Sequence, residues 1–207
     1  MLFDTPHQDT LRDILTWRRD IRHFKTDPIP EDMLERLRDA MELAPSVGNA
    51  RPWRIVRIKS PDLRQSIREN FEQANEKASL QYKNEQRADY AKLKLAGLDK
   101  APEQFAVFTE IDPSEGHGLG RHTIPETLRQ STAMAVHTLW LAARAENLGL
   151  GMVSILAPEA IKDILDVPEN WEFSAYLCLG WPENSDDTPL LHREKWQRNT
   201  ATNWIEK

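Results

Sequence analysis

Apolar and polar positions alternate along this chain in two distinct periods. Leu11, Ile14 and Leu15 recur at helical spacing, so residues 9–18 are expected to form a short amphipathic helix. Charge gathers at its end, in Arg18-Arg19-Asp20-Ile21-Arg22-His23-Phe24. Pro28 and Pro30 mark a loop, and Pro30 suits the opening of a second helix. That helix carries Leu34, Leu37, Met41 and Ala44 on one stripe and stops before Pro45. After the polar loop 46–51, Trp53-Arg-Ile-Val-Arg-Ile58 reads as a strand. Residues 61–100 are polar and lysine-rich with scattered anchors at Phe71, Tyr82, Tyr90, Leu93 and Leu95, the pattern of one or two surface helices forming a lid or arm. Phe105–Phe108 restores strand character. Leu128, Ala135, Leu139 and Ala143 predict a long helix over 125–147, whose nearly all-round apolar character marks a central or interface position. Leu150–Ile155 and Ser174–Leu179 are two further strands with a short helix between them. The tail from 181 is polar but holds Trp181, Trp196 and Trp204, large aromatics that need something to pack on. The expected fold class is α+β: one domain over 1–207 with a modest, mostly antiparallel sheet enclosed by helices, an arm at 61–100 and a C-terminal extension at 181–207.

Composition narrows the function classes. Lys and Arg number 27 against 33 Asp and Glu, a net charge of −6. The chain therefore lacks the basic surplus that a nucleic-acid partner calls for. The single cysteine, Cys178, excludes an intramolecular disulfide or a multi-cysteine zinc module, and its apolar strand context reads as core rather than as a reactive thiol. The first residues lack the basic start and apolar stretch of a signal peptide, and no run approaches the ~18 apolar residues of a membrane span, so a cytoplasmic protein with no membrane partner is expected. None of the eight glycines composes a G-x-G-x-x-G or Walker-type loop, and the six histidines show no metal-ligand spacing. Any nucleotide would be held by side chains, and no metal is expected.

Three segments could carry chemistry. Arg18, Arg19 and Arg22 place planar guanidinium forks close enough to surround a phosphate dianion; equally, they could be a solvated helix end whose aspartate pairs with its neighbours. Ser46, Gly48, Asn49 and Arg51 offer hydroxyl, exposed backbone, amide and guanidinium groups that can read a polar heterocycle; a plain helix-to-strand connection would use the same residue types. Ser154 is an isolated hydroxyl in an apolar strand, without the Gly-x-Ser-x-Gly elbow of a hydrolase nucleophile.

Taken in order, these segments resemble the FMN-dependent nitroreductase superfamily. Arg-Arg-Asp-Ile-Arg at 18–22 is followed by Ala-Pro-Ser-Val-Gly-Asn-x-x-Pro-Trp at 44–53. Closer still is the resemblance to the flavin-destroying branch that makes 5,6-dimethylbenzimidazole, the lower ligand of vitamin B12. It rests on Tyr90-x-x-Leu-Lys-Leu-x-Gly97, Gly118-Leu-Gly-Arg121, Leu139-Trp-Leu-Ala-Ala-Arg-Ala-Glu146 and Val153-Ser-Ile155. Three departures from the usual pattern are Arg51, where glutamine commonly precedes Pro-Trp, Met152, where tryptophan is common, and Gln130 in the long helix.

The resemblance implies a homodimer with two FMN sites at the subunit interface. Arg18, Arg19, Asp20, Ile21 and Arg22 match the segment that holds the flavin phosphate and ribityl chain, and Arg198 or Arg193 would complete the phosphate site. Ser46, Gly48, Asn49 and Arg51 match the loop that meets the flavin from the other side. Leu95 would cover the ring as part of the lid, and Gly151 and Ser154 match contacts on the strand beneath. Asp20 and Ser154 match the two residues assigned to chemistry. The implied reaction consumes reduced FMN and O2, giving dimethylbenzimidazole and D-erythrose 4-phosphate. A separate flavin reductase would supply the electrons, so that NAD(P)H enters only indirectly. Two other readings use the same residues: a nitroreductase or dehydrogenase that retains its flavin and oxidises NAD(P)H, which needs open space above the ring, and a non-catalytic flavin carrier, which needs neither Asp20 nor Ser154.

Overall fold

A computed structural model of the chain describes residues 1–93 and 96–207. Its centre is a sheet of β1 (Trp53–Arg57), β2 (Glu103–Glu110), β3 (Gly149–Val153) and β4 (Trp171–Gly180), ordered β1-β2-β4-β3 and antiparallel throughout. Helices α2 (Glu31–Met41) and α5 (Thr127–Ala145) cover one face. The other is covered by α3 (Pro61–Ser79) and α6 (Pro158–Leu165). Because both faces are buried, β4 alternates Ala175, Leu177 and Leu179 into one core with Tyr176 and Cys178 into the other, and reads in sequence as an unbroken apolar run. The α+β architecture is as expected.

Local chemistry explains the boundaries. The first helix, α1 (Thr5–Trp17), starts four residues before the expected start at 9, because the Asp4 carboxylate accepts the His7 amide and Pro6 tolerates the first turn. Ser60 caps α3 by accepting the Leu63 amide at 3.4 Å. The polar 61–100 stretch forms α3 and α4 (Asn84–Lys92). The strand β4 begins at Trp171 rather than near 174, because an extra residue, Ser174, bulges between the partners of Val107 and Phe108. That bulge reverses the inside–outside alternation, so Trp171 and Phe173 join the face opposite Ala175. Its hydroxyl lies 2.8 Å from the Thr109 hydroxyl, which donates at 2.7 Å to Thr132 of α5, so the irregular backbone is fixed to the helix above it.

The segment after α1 extends the sheet beyond β3. The Ile21 amide donates to the Leu150 carbonyl at 3.1 Å, and Lys25 donates to the Trp181 carbonyl at 2.8 Å. Phe24, fully buried, anchors this segment in the core beneath Gly97 and Gly180. Cys178 is also fully buried, and burial pushes its thiol up to about 12. The native protein should therefore resist a thiol reagent at pH 8, with one thiol appearing on denaturation; fast native labelling would contradict this core packing.

Candidate flavin site

Asp20 is the best-defined polar group on the β3 edge. Its segment lies parallel to β3, and one carboxylate oxygen accepts the Met152 amide at 2.9 Å. The other accepts two guanidinium contacts from Arg22, Nε and Nη2, each at 2.8 Å. Arg22 keeps only 14% of its side chain exposed and Asp20 29%, so this pair is held rather than solvated. The close approach depends on Gly151: a β-carbon there would sit 2.1 Å from the Ile21 carbonyl oxygen. Ser154 follows directly on β3 and is exposed, two residues beyond the amide that Asp20 holds.

The neighbouring arginines divide their work. Arg19 spends its guanidinium on main-chain carbonyls: Thr16, Arg18 at 2.9 Å and Asp187 at 2.8 Å. Partial burial, and then the Arg18 charge, lower its pKa. Arg18 lies over the Trp140 ring, 5.0 Å from the centroid, with no carboxylate partner among the described residues. Trp140 in turn donates to the Arg19 carbonyl at 3.2 Å. A cleft with room for about one water is lined by Arg18, Arg19, Trp140 and Arg144. Arg144 was not legible as a site residue: its sequence context is that of an ordinary helix C-terminus, and only the fold carries it to the arginine segment. Arg193 is paired to Asp186 at 3.3 Å, whereas Arg198 is exposed in the tail.

The loop 46–51 is built separately. Gly48 takes φ +55° with its Cα against the 115–118 turn, where a side chain would meet the carbonyls of Gly116 at 3.0 Å and Leu119 at 3.1 Å. The Ser46 hydroxyl accepts the Arg51 amide at 3.1 Å, and Val47 donates to Ser131 of α5 at 3.0 Å. Asn49 is exposed, with φ +57°. Arg51 reaches Glu42 at 3.0 Å, and the other Glu42 oxygen accepts the Trp53 indole at 3.1 Å. The additional charge at Arg51 is thus already balanced by its own chain, and Glu42 is a partner without any signal in the sequence.

The loop and the arginine segment are held by different parts of α5, through Ser131 and Trp140. Nine residues of helix separate them by about 13 Å along its axis. Leu95 lies outside the described residues. A cavity of about 690 Å³ runs beside β1 and α2, lined by Leu34, Met41, Trp53 and Phe105 among others; it includes Arg51 but not Asp20, Gly151 or Ser154. Within one chain the Asp20 edge thus lies outside that cavity, with Met152 and Ser154 exposed along it. The donor set still suits a flavin mononucleotide: an arginine without a carboxylate partner for the phosphate, a held carboxylate, and a flat glycine-lined strand edge for close approach. Among the described residues no cluster of side chains could hold a metal ion, and no helix is long and apolar enough to cross a membrane.

Comparison with known proteins then decides the family, because the Nitroreductase family profile matches residues 15–181. The chain belongs to the nitroreductase family. Within it, the chain is 58% identical to a 5,6-dimethylbenzimidazole synthase of Rhodobacter capsulatus, covering 99% of each chain. It is 49% identical to the protein of that name in Rhodospirillum rubrum, covering 95% of this chain and 93% of the relative. The fold is similar to that of an iodotyrosine deiodinase crystallised with FMN and 3-iodo-L-tyrosine, with a TM-score of 0.74 at 21% identity over 95% of this chain and 97% of that one. This nitroreductase-family chain therefore has close relatives named 5,6-dimethylbenzimidazole synthase, aligned over nearly its whole length.

Proposed function

We propose that this protein is an oxygen-dependent 5,6-dimethylbenzimidazole synthase, a cytoplasmic enzyme that cleaves reduced FMN to that base and D-erythrose 4-phosphate. The whole pyrimidine ring leaves as a further fragment carrying both atoms of O2 in the overall balance, and the carbon that closes the imidazole comes from the ribityl chain. The observation that carries the reading is the Asp20 carboxylate, seated on the β3 edge two residues from Ser154, in a chain 58% identical to a protein of that activity. Bound reduced FMN would supply the two electrons with which O2 is activated.

The chain's own residues have separable tasks in this reading. Arg18, supported by Trp140, meets the phosphate, with Arg198 completing the charge. Arg22 and the Met152 amide hold the Asp20 carboxylate in place, so that it exchanges protons with the ribityl chain as base and then acid. Ser154 orients the reacting end or relays a proton. The arm over 61–100 excludes water. Ile21 and Gly151 shape the strand edge against which the flavin lies. All of 1–207 acts as one FMN-binding domain, extended by the tail from 181.

A homodimer completes the site. The chain exposes 13214 Å², against about 9,900 Å² for a compact monomer of 23.9 kDa. Exposed Leu11, Leu15 and Trp17 of α1 and Met134 of α5 contribute to that excess. An obligate interface buries surface on this scale, and a second copy would bring its Ser46, Gly48, Asn49 and Arg51 to the Asp20 edge.

The direct test supplies the purified protein with FMN, a separate flavin reductase and NADPH in air, followed by mass spectrometry of the small molecules. Dimethylbenzimidazole should accumulate as flavin disappears. Reoxidation to intact FMN would overturn the reading, and saturable oxidation of NADPH without the reductase would favour a flavin-retaining nitroreductase.

A further inference from the structure

We propose that Trp196 is a positioning residue that straps the arm to the arginine segment. The inference rests on the flavin-site reading only for what the arm covers; the strap itself is visible in the contacts. One end of the C-terminal segment is held at the arginines, where Arg19 donates to the Asp187 carbonyl at 2.8 Å. The segment then turns through the short helix α7 (Leu190–Arg193). The Gln197 amide returns to the Leu191 carbonyl at 3.1 Å, and the Asn199 amide to His192 Nδ1 at 3.0 Å. This curl delivers Trp196 to the arm, edge-on to Tyr82 with centroids 5.3 Å apart and 6.2 Å from Tyr90. Tyr82 and Tyr90 stack on each other at 4.7 Å, and the Tyr90 hydroxyl donates to Asn75 of α3 at 2.6 Å.

The arm needs such a clamp. Helix α4 has nine residues, and its sequence Asn-Glu-Gln-Arg-Ala-Asp-Tyr-Ala-Lys carries no apolar face. A helix that short and that polar is not stable on its own. Tyr90 is its one buried residue among those described. The far end of the arm comes back to the site, since Gly97 packs on Phe24 and approaches the Arg22 carbonyl. Arginine segment, strap, aromatic trio and arm therefore form a closed circuit, and Trp196 is the link whose removal opens it without touching the arginines or Asp20. This assigns a task to a tail tryptophan whose sequence context is merely polar.

Hydrogen exchange on the flavin-free protein tests the strap without relying on activity. In Trp196→Ala, amides of residues 85–92 should exchange at least 10-fold faster while β2 and β4 are unchanged, and Trp196→Phe should restore most of the protection. Tyr82→Ala attacks the same contact from the arm, so the effect of the double variant should fall well short of the sum of the two single ones. Unchanged exchange in α4, or additive effects of the two substitutions, would overturn the proposal. With reduced FMN and O2, Trp196→Ala should lose at least 5-fold in dimethylbenzimidazole formed per flavin oxidised, the remainder returning as intact FMN. An unchanged yield would mean that the strap does not govern closure. Absence of the product from the wild type would instead refute the synthase reading and leave the exchange result to judge the strap.

Discussion

Gly151→Ala should disable this protein more severely than any other single methyl group added to the sheet. The new β-carbon would lie 2.1 Å from the Ile21 carbonyl oxygen and 3.2 Å from its carbon, both main-chain atoms with no rotamer to escape into. The 20–22 segment has to move by roughly 1 Å to reach ordinary contact. That movement strains or breaks two hydrogen bonds, Ile21 to Leu150 and Met152 to Asp20. Each contributes about 1 kcal/mol, and the overpacking itself costs about 1–3 kcal/mol. A fall in Tm of roughly 6–20 °C follows for a chain of this size. Misplacing Asp20 by about 1 Å should also reduce dimethylbenzimidazole formation about 100-fold in whatever fraction stays folded. Gly149→Ala is the control. Its β-carbon would meet Ile21 side-chain atoms, nearest at 2.8 Å and with Cβ at 3.0 Å, so the shift it asks for is smaller than the one at the Gly151–Ile21 main-chain contact. Thermal denaturation and product yield of the two variants, measured together, decide the matter. Equal behaviour would show that the segment does not depend on the close approach at Gly151.

That contact also shows what the sequence could and could not convey. The elements were legible where periodicity is local: the stripe of Leu34, Leu37 and Met41, the apolar run of β4, and the long α5 all appear as expected. The first three residues of β4 were not, because the Ser174 bulge breaks the alternation on which a strand is recognised. Asp20 and Arg22 were legible as a charged cluster. The aspartate does pair with its neighbour, but the pair is held against a strand edge rather than solvated at a helix end. Partners distant in sequence carried no signal. Glu42 neutralises Arg51 from the end of α2, Arg144 reaches the Arg18 cleft from α5, and Trp196 meets Tyr82 across more than half the chain. Each depends on topology, which single-residue chemistry does not encode. Ser46, Gly48 and Asn49 lie in a loop whose geometry is fixed by α5 and the 115–118 turn, away from the Asp20 edge of the same chain. The proposed homodimer would bring the two halves of the expected site together.

Asp20 and Ser154 should separate chemistry from architecture when replaced one at a time. Ser154 is exposed just past β3, so Ser154→Ala removes no buried group and should shift stability by no more than about 0.5 kcal/mol. FMN affinity should stay within about 3-fold of wild type, since the loss is at most one exposed contact. If the hydroxyl orients the reacting end, dimethylbenzimidazole formation still falls at least about 10-fold. Asp20→Asn is a different case, because the carboxylate has a structural partner. Its amide keeps an oxygen for the Met152 N–H but turns a donor toward, or loses charge beside, the Arg22 guanidinium. Some stability is lost, on the order of 1–3 kcal/mol for a mostly buried charged hydrogen bond. Proton transfer by a positioned carboxylate contributes about 10²–10⁴-fold, so product formation should fall by that factor, well beyond what the destabilisation explains. Bound reduced flavin should then reoxidise in air as intact FMN. Comparing product yield with the folded fraction of each variant distinguishes the roles. Wild-type yield per folded Asp20→Asn molecule would make Asp20 only the partner of Arg22, and the proton-transfer role would have to be sought elsewhere on the β3 edge.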